Sequence, residues 1–120
     1  MKFMKRIIFF ITLILGLTSC DLSSISLVKD GLLDSCEFSV GEMVDSYFSN
    51  PKWEEIVAED NRTYVNVTGG ITYDDKPAEV KLQFKIREDR FMVNALEING
   101  EGQVDFVILG LLELMCQEAF

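Results

Sequence analysis

Few side chains in this sequence are equipped for chemistry. They are three thiols, at Cys20, Cys36 and Cys116, and an acidic run of Glu54, Glu55, Glu59 and Asp60. No histidine occurs in the 120 residues, which excludes imidazole-built zinc sites, Ser-His-Asp triads and Cys-His dyads. The four acids invite comparison with a calcium loop or a general acid/base pair. They have neither the EF-hand spacing nor the glycine that such a loop needs, so a solvated turn is the plainer reading. Gly69-Gly70 falls inside a predicted strand, whereas a phosphate loop joins a strand to a helix. Asn61-Arg62-Thr63 and Asn66-Val67-Thr68 fit the N-glycosylation pattern, which is common by chance. Nothing assembles a nucleophile with a base and an orienting group, so the sequence argues against an enzyme and implies no cofactor.

The surroundings of Cys20 are more specific. Met1 to Arg6 is short and basic, with Lys2, Lys5 and Arg6, and runs into an unbroken apolar block from Ile7 to Leu15. These are the n-region and h-region of a secretory signal, and the block is shorter than the roughly 20 residues of a membrane-spanning helix. Leu17-Thr18-Ser19-Cys20 follows, and this order resembles the lipobox of bacterial lipoproteins. The resemblance implies that residues 1–19 are a cleaved signal peptide, that the Cys20 thiol receives a diacylglycerol, and that the new N-terminus is acylated with a fatty acid such as palmitate. Several acyl chains hold a protein on a membrane far better than one. Asp21 resembles the inner-membrane retention signal of enterobacteria; the rule is not universal, so either envelope membrane fits. With Cys20 taken by lipid, Cys36 and Cys116 are left in an oxidising compartment. The expectation is a disulfide closing about 80 residues and contributing several kcal/mol, with two free thiols as the alternative.

About 100 residues follow the leader, enough for one small domain. Loss of Lys2, Lys5 and Arg6 moves the formal net charge from −9 to −12. Such acidity argues against nucleic acid and against electrostatic docking on anionic headgroups, leaving the N-terminal lipid as the expected membrane contact.

Residues 20–29 read as a mobile, serine-containing tether, and 30–120 as the domain. Ser39-Val40-Gly41-Glu42 is a capping box. It opens a helix whose Val40, Met43, Val44, Tyr47 and Phe48 share one face, and Asn50-Pro51 is the expected stop. Lys52 to Ala58 reads as a first strand, with a short helical turn started by Pro51 as the alternative, and Thr63 to Tyr73 as a second strand, with a bulge expected at Gly69-Gly70. Ala78 to Arg87 alternates Val80, Leu82, Phe84 and Ile86 with Glu79, Lys81, Gln83, Lys85 and Arg87, the pattern of a sheet covered on one side. Phe91 to Asn99 is the last strand, and Asn99-Gly100-Glu101-Gly102 ends the sheet. Val104 to Ala119 predicts a helix with an inner stripe of Val104, Val107, Ile108, Leu111, Leu112 and Met115. Phe106, Leu109 and Leu114 widen that stripe, so the helix is either deeply buried or offers an apolar strip to a partner. The expected fold class is α+β: an N-terminal helix, a three- to four-stranded antiparallel meander and a C-terminal helix, both helices on one sheet face.

Val28-Lys29-Asp30-Gly31, Val40-Gly41-Glu42, Tyr47-Phe48, Asn50-Pro51-Lys52-Trp53-Glu54, Val67-Thr68-Gly69, Gln83-Phe84 and Ala95-Leu96-Glu97-Ile98-Asn99-Gly100 together resemble a group of small uncharacterised bacterial lipoproteins. That group carries a VGxAFDxYFxNPKWE helix and turn, a VxxTG strand and an ALEING-like strand; here Met43-Val44 replaces Ala-Phe. The resemblance implies location and no activity. More loosely, the layout is similar to SmpA-type assembly lipoproteins and β-lactamase-inhibitor-like domains, an analogy of architecture. The expected role is a protein-binding module anchored in the cell envelope, with Trp53, Phe106, Leu109 and Leu114 as candidate partner contacts. Trp53 has a competing structural use, packing under the first helix. The alternative function is an inhibitor or immunity-type lipoprotein directed at a basic hydrolase or a phage, and a third is a purely structural cover.

Overall fold

The computed structural model describes residues 24–34 and 36–119. The predicted signal peptide, Cys20 and Asp21 lie outside the described residues. The class is α+β, as the patterning implies. The first full helix, α1, is Val40–Tyr47. Ser39 Oγ accepts from the Glu42 backbone N–H at 3.2 Å and the Ser39 N–H donates to Glu42 Oε1 at 2.8 Å, closing the capping box. Val40, Met43 and Val44 are buried on its inner face.

The helix stops earlier than Asn50-Pro51. Phe48 is already extended, and both Asn50 and Pro51 belong to β1, Ser49–Val57. Asn50 takes φ 51°, and Asn50 and Pro51 together face the single residue Gly69 in the β1–β2 register. The bulge therefore lies in β1, opposite the glycine pair, while β2, Thr63–Tyr73, pairs with β3 without interruption. Gly69 is needed for another reason: a Cβ there would come within 3.0 Å of the Phe48 side chain.

β3 is Lys76–Arg87, β4 is Arg90–Ile98, and a two-residue β5, Glu101–Gly102, extends the predicted meander to five antiparallel strands in sequence order. Asp74 and Asp75 both have positive φ, as do Asn99 and Gly100. This is the backbone of tight hairpin turns matching the strand twist, so Asn99-Gly100 folds the chain back into β5 where the sequence suggested a stop. In β4, Asn94 is an extra residue between Val93 and Ala95, and its Nδ2 donates to Gln83 Oε1 at 2.6 Å.

α2, Asp105–Glu118, begins one residue after Val104, which is the exposed N-cap and no part of the inner stripe. Ile108, Leu111 and Met115 are buried, and α2 packs mainly on α1. These residues join Met43, Val44, Val65, Val67, Val80, Leu82, Phe84 and Leu96 in one core, with both helices over the same sheet face. Each large side chain buried there contributes about 1.5–3 kcal/mol. Residues 24–29 are helical, and Val28 is fully buried in the same core. That part of the expected tether is a packed element, with Ser24 Oγ donating to Glu55 Oε2. Gly31 follows it against the Phe91 ring, where a Cβ would lie 2.2 Å from the ring edge.

Candidate functional site

α2 is held from one side only. Its Val104 cap makes no side-chain hydrogen bond and no base lies in its last turn, which leaves Asp105 in the first turn as the charge that favours the helix dipole. Its inner stripe and one covalent link fix it: Cys36 and Cys116 form a disulfide with Cα atoms 6.0 Å apart. Cys36 Sγ also lies 3.7 Å from Met43 Sδ of α1, so the bridge ties the 31–38 connection to both helices.

The outward side of α2 is apolar as well. Phe106 is 85% exposed, Leu109 66% and Leu114 41%. The helical period puts Phe106, Leu109, Gly110, Glu113 and Leu114 on one side, and a Cβ on Gly110 would meet nothing within 4 Å. Of the two outcomes open for this helix, the exposed strip is the one realised. A contiguous strip of this kind is a feature of interaction sites.

Leu109 is shared with a groove of about 870 Å³ between α2, the chain around Leu33 to Cys36, and β4. Leu33, Met43, Val93 and Leu112 supply its apolar lining, the disulfide one wall, and Asp34, Asp105 and Glu113 its charges; among the described residues no lysine or arginine lines it. At the far end of the helix, Tyr47 has its phenol pKa pushed above the ordinary tyrosine value, first by burial and then by the Glu118 carboxylate. The helical layer is thus acidic as well as apolar.

The structure brings Phe106, Leu109 and Leu114 together and leaves Trp53 apart from them. Trp53 faces the core opposite Val67, is half-buried, and carries the Lys29 ammonium 5.3 Å above its ring, an attraction worth about 0.5–1 kcal/mol. Glu59 and Asp60 are exposed near the β1–β2 turn, with Asp60 paired to Arg62 at 3.2 Å. Asn66 of the second acceptor pattern is 5% exposed and its Oδ1 accepts no hydrogen bond, so it offers no surface for a glycan. Among the described residues there is no cluster of three or more metal-ligating side chains and no helix long and apolar enough to cross a membrane. The groove had no sequence signature, because its walls come from three segments joined only by tertiary packing. No family model, curated protein or solved structure matches this chain.

Proposed function

We propose that this protein is a lipid-anchored envelope lipoprotein of the small bacterial type that its motifs resemble, and that it acts by binding another protein rather than by catalysis. The anchor rests on Leu17-Thr18-Ser19-Cys20. Binding rests on one observation, the solvent-exposed strip of Phe106, Leu109 and Leu114 beside an acid-lined apolar groove. A photo-crosslinking residue in place of Phe106, in the full chain within intact envelopes, tests it. The expected result is a discrete protein adduct that disappears with Leu109→Glu, with no adduct from the same probe at Tyr73. Absence of any adduct from Phe106 would overturn it.

The groove's charges favour a second reading: Asp34, Asp105 and Glu113, with no base, suit a basic hydrolase as target. Such an inhibitor would slow a lysozyme-type enzyme, and Asp105→Lys with Glu113→Lys would abolish the effect. Full hydrolase activity at excess protein would eliminate this reading.

A further inference from the structure

The net charge conceals a segregation that only the sheet register exposes. Residues directly opposite on neighbouring strands share a face. On β3, Ala78, Val80, Leu82 and Phe84 are buried, so Lys81, Gln83, Lys85 and Arg87 project from the other face. Their cross-strand partners follow: Lys52 opposite Thr68 and Thr68 opposite Lys81; Ile56 opposite Tyr64 and Tyr64 opposite Lys85; Lys85 opposite Met92; Arg87 opposite Arg90. Arg62, on the turn before β2, shares a shallow cleft of about 400 Å³ with Lys85 and Arg87. The described residues contain eight lysines and arginines. Six of them, Lys52, Arg62, Lys81, Lys85, Arg87 and Arg90, belong to this outer face or its end, and two, Lys29 and Lys76, lie elsewhere. Three acids, Glu54, Glu79 and Glu97, share the register, with Glu97 4.0 Å from Lys81; four more, Glu59, Asp60, Glu88 and Asp89, stand in the two turns at this end, where Asp60 pairs with Arg62 and Glu88 lines the cleft.

Two details point to an external anion. Arg87 and Arg90 stand directly opposite one another, a like-charge pair that disfavours the hairpin, and neither they nor Lys85 form an ion pair among the described residues. Between the cations lie Ile56, Tyr64 and the exposed Met92, apolar groups on a broad sheet surface. The chain also enters the domain at this end: Ser24 lines a hollow with Asp30, Glu55, Thr63, Ile86, Glu88 and Asp89, the last two being the turn between Arg87 and Arg90. Ser24 is four residue steps from Cys20, a reach of at most about 14 Å.

From this placement we infer that the outer sheet face, led by Lys85, Arg87 and Arg90, docks on the anionic phosphate headgroups of the membrane that holds the lipid. The inference rests on the proposed anchor. A soluble polyanion would approach against a formal charge of −12, whereas a tethered domain already has the lipid surface at high effective concentration and needs only local attraction within a Debye length of about 8–10 Å. Docking in this sense turns the opposite, helical side, with Phe106 and Leu109, away from the membrane.

The test is amine footprinting of the full lipidated chain on phosphatidylcholine vesicles and on equimolar phosphatidylcholine and phosphatidylglycerol. Lys52, Lys81 and Lys85 are expected to label several-fold more slowly on the anionic vesicles, with Lys29 and Lys76 unchanged. Arg87→Glu with Arg90→Glu, or the milder Arg87→Gln with Arg90→Gln, should reverse the protection, since each cation at an anionic surface is worth about fivefold in binding. Equal labelling of the three lysines on both vesicles would overturn the inference, as would protection by a DNA duplex but not by vesicles. Recovery of the chain on neutral vesicles reports the anchor separately. For an unlipidated chain, flotation with anionic vesicles alone would support the face, and flotation with neither would overturn it.

Discussion

The two sides of this small domain differ in almost every property except their debt to the same core. Among the described residues, the outer face of the sheet holds most of the positive charge, on strands paired along their length with one extra residue at Asn94. The helical layer holds acids and an uncovered apolar strip on a helix fixed by one stripe of side chains and one disulfide. A formal charge of −9 describes neither side, because alternation along β3 sends Lys81, Lys85 and Arg87 one way while the acids of α1, α2 and the 31–38 connection collect on the other. Charge arguments about partners therefore belong to faces, not to whole chains.

Neighbouring residues on β3 offer the sharpest contrast. Phe84 is fully buried and meets Phe91 edge to face with centroids 5.8 Å apart, so Phe84→Ala should cost about 3–5 kcal/mol in urea unfolding. Lys85→Ala, one residue on, should change stability by less than about 0.5 kcal/mol. Comparable effects for the two would break the description of one dry and one wet face.

The disulfide sharpens the contrast between layers. Cys36→Ser with Cys116→Ser opens a link across 80 residues and should lower stability by about 4 kcal/mol on the chain-entropy estimate. Amide exchange should rise first in α2 and residues 31–38, and only later in β2 and β3. Uniform exchange across both layers would contradict that division.

Smaller effects probe the surfaces themselves. Asn66 sits between Glu54 and Gln83 with an unsatisfied buried Oδ1, so Asn66→Val should leave stability unchanged or raise it by about 1 kcal/mol. A loss above that size would mean that the amide is satisfied after all. Tyr47 gives the smallest signal. Its folded pKa lies above the unfolded one, so between these values the unfolded chain has released the proton and the folded chain has not. Stability from this group is intact below about pH 10 and declines as pH rises beyond it. Tyr47→Phe should flatten that alkaline decline, as thermal melts at successive pH values would show.

Much of this was legible in the residues. The capping box at Ser39 and Glu42 and the alternation of β3 are local signals, and local physics decided them. Other features needed the third dimension. The end of α1 was misplaced because Asn50-Pro51, a reasonable helix stop, is consumed by a bulge in β1. Residues 24–29 are too short to show a period, yet Val28 is central to the core. β5 exists only because Asn99-Gly100 turns back along Glu97 and Ile98. For the binding surface, the strip on α2 was visible as an excess of apolar residues at Phe106, Leu109 and Leu114. The groove beside it was not, and the basic face was hidden by summing charge along the chain when β3 alone displayed its sign.

Attachment at residue 20 would set the orientation of both faces, and the intact mass of the chain purified from its own membranes tests it most directly. The predicted species begins at Cys20 and carries the mass of a diacylglycerol, with or without a further acyl chain; Cys20→Ala should abolish it. An unacylated chain, or one that retains residues 1–19, would contradict the anchor and with it the orientation of both faces.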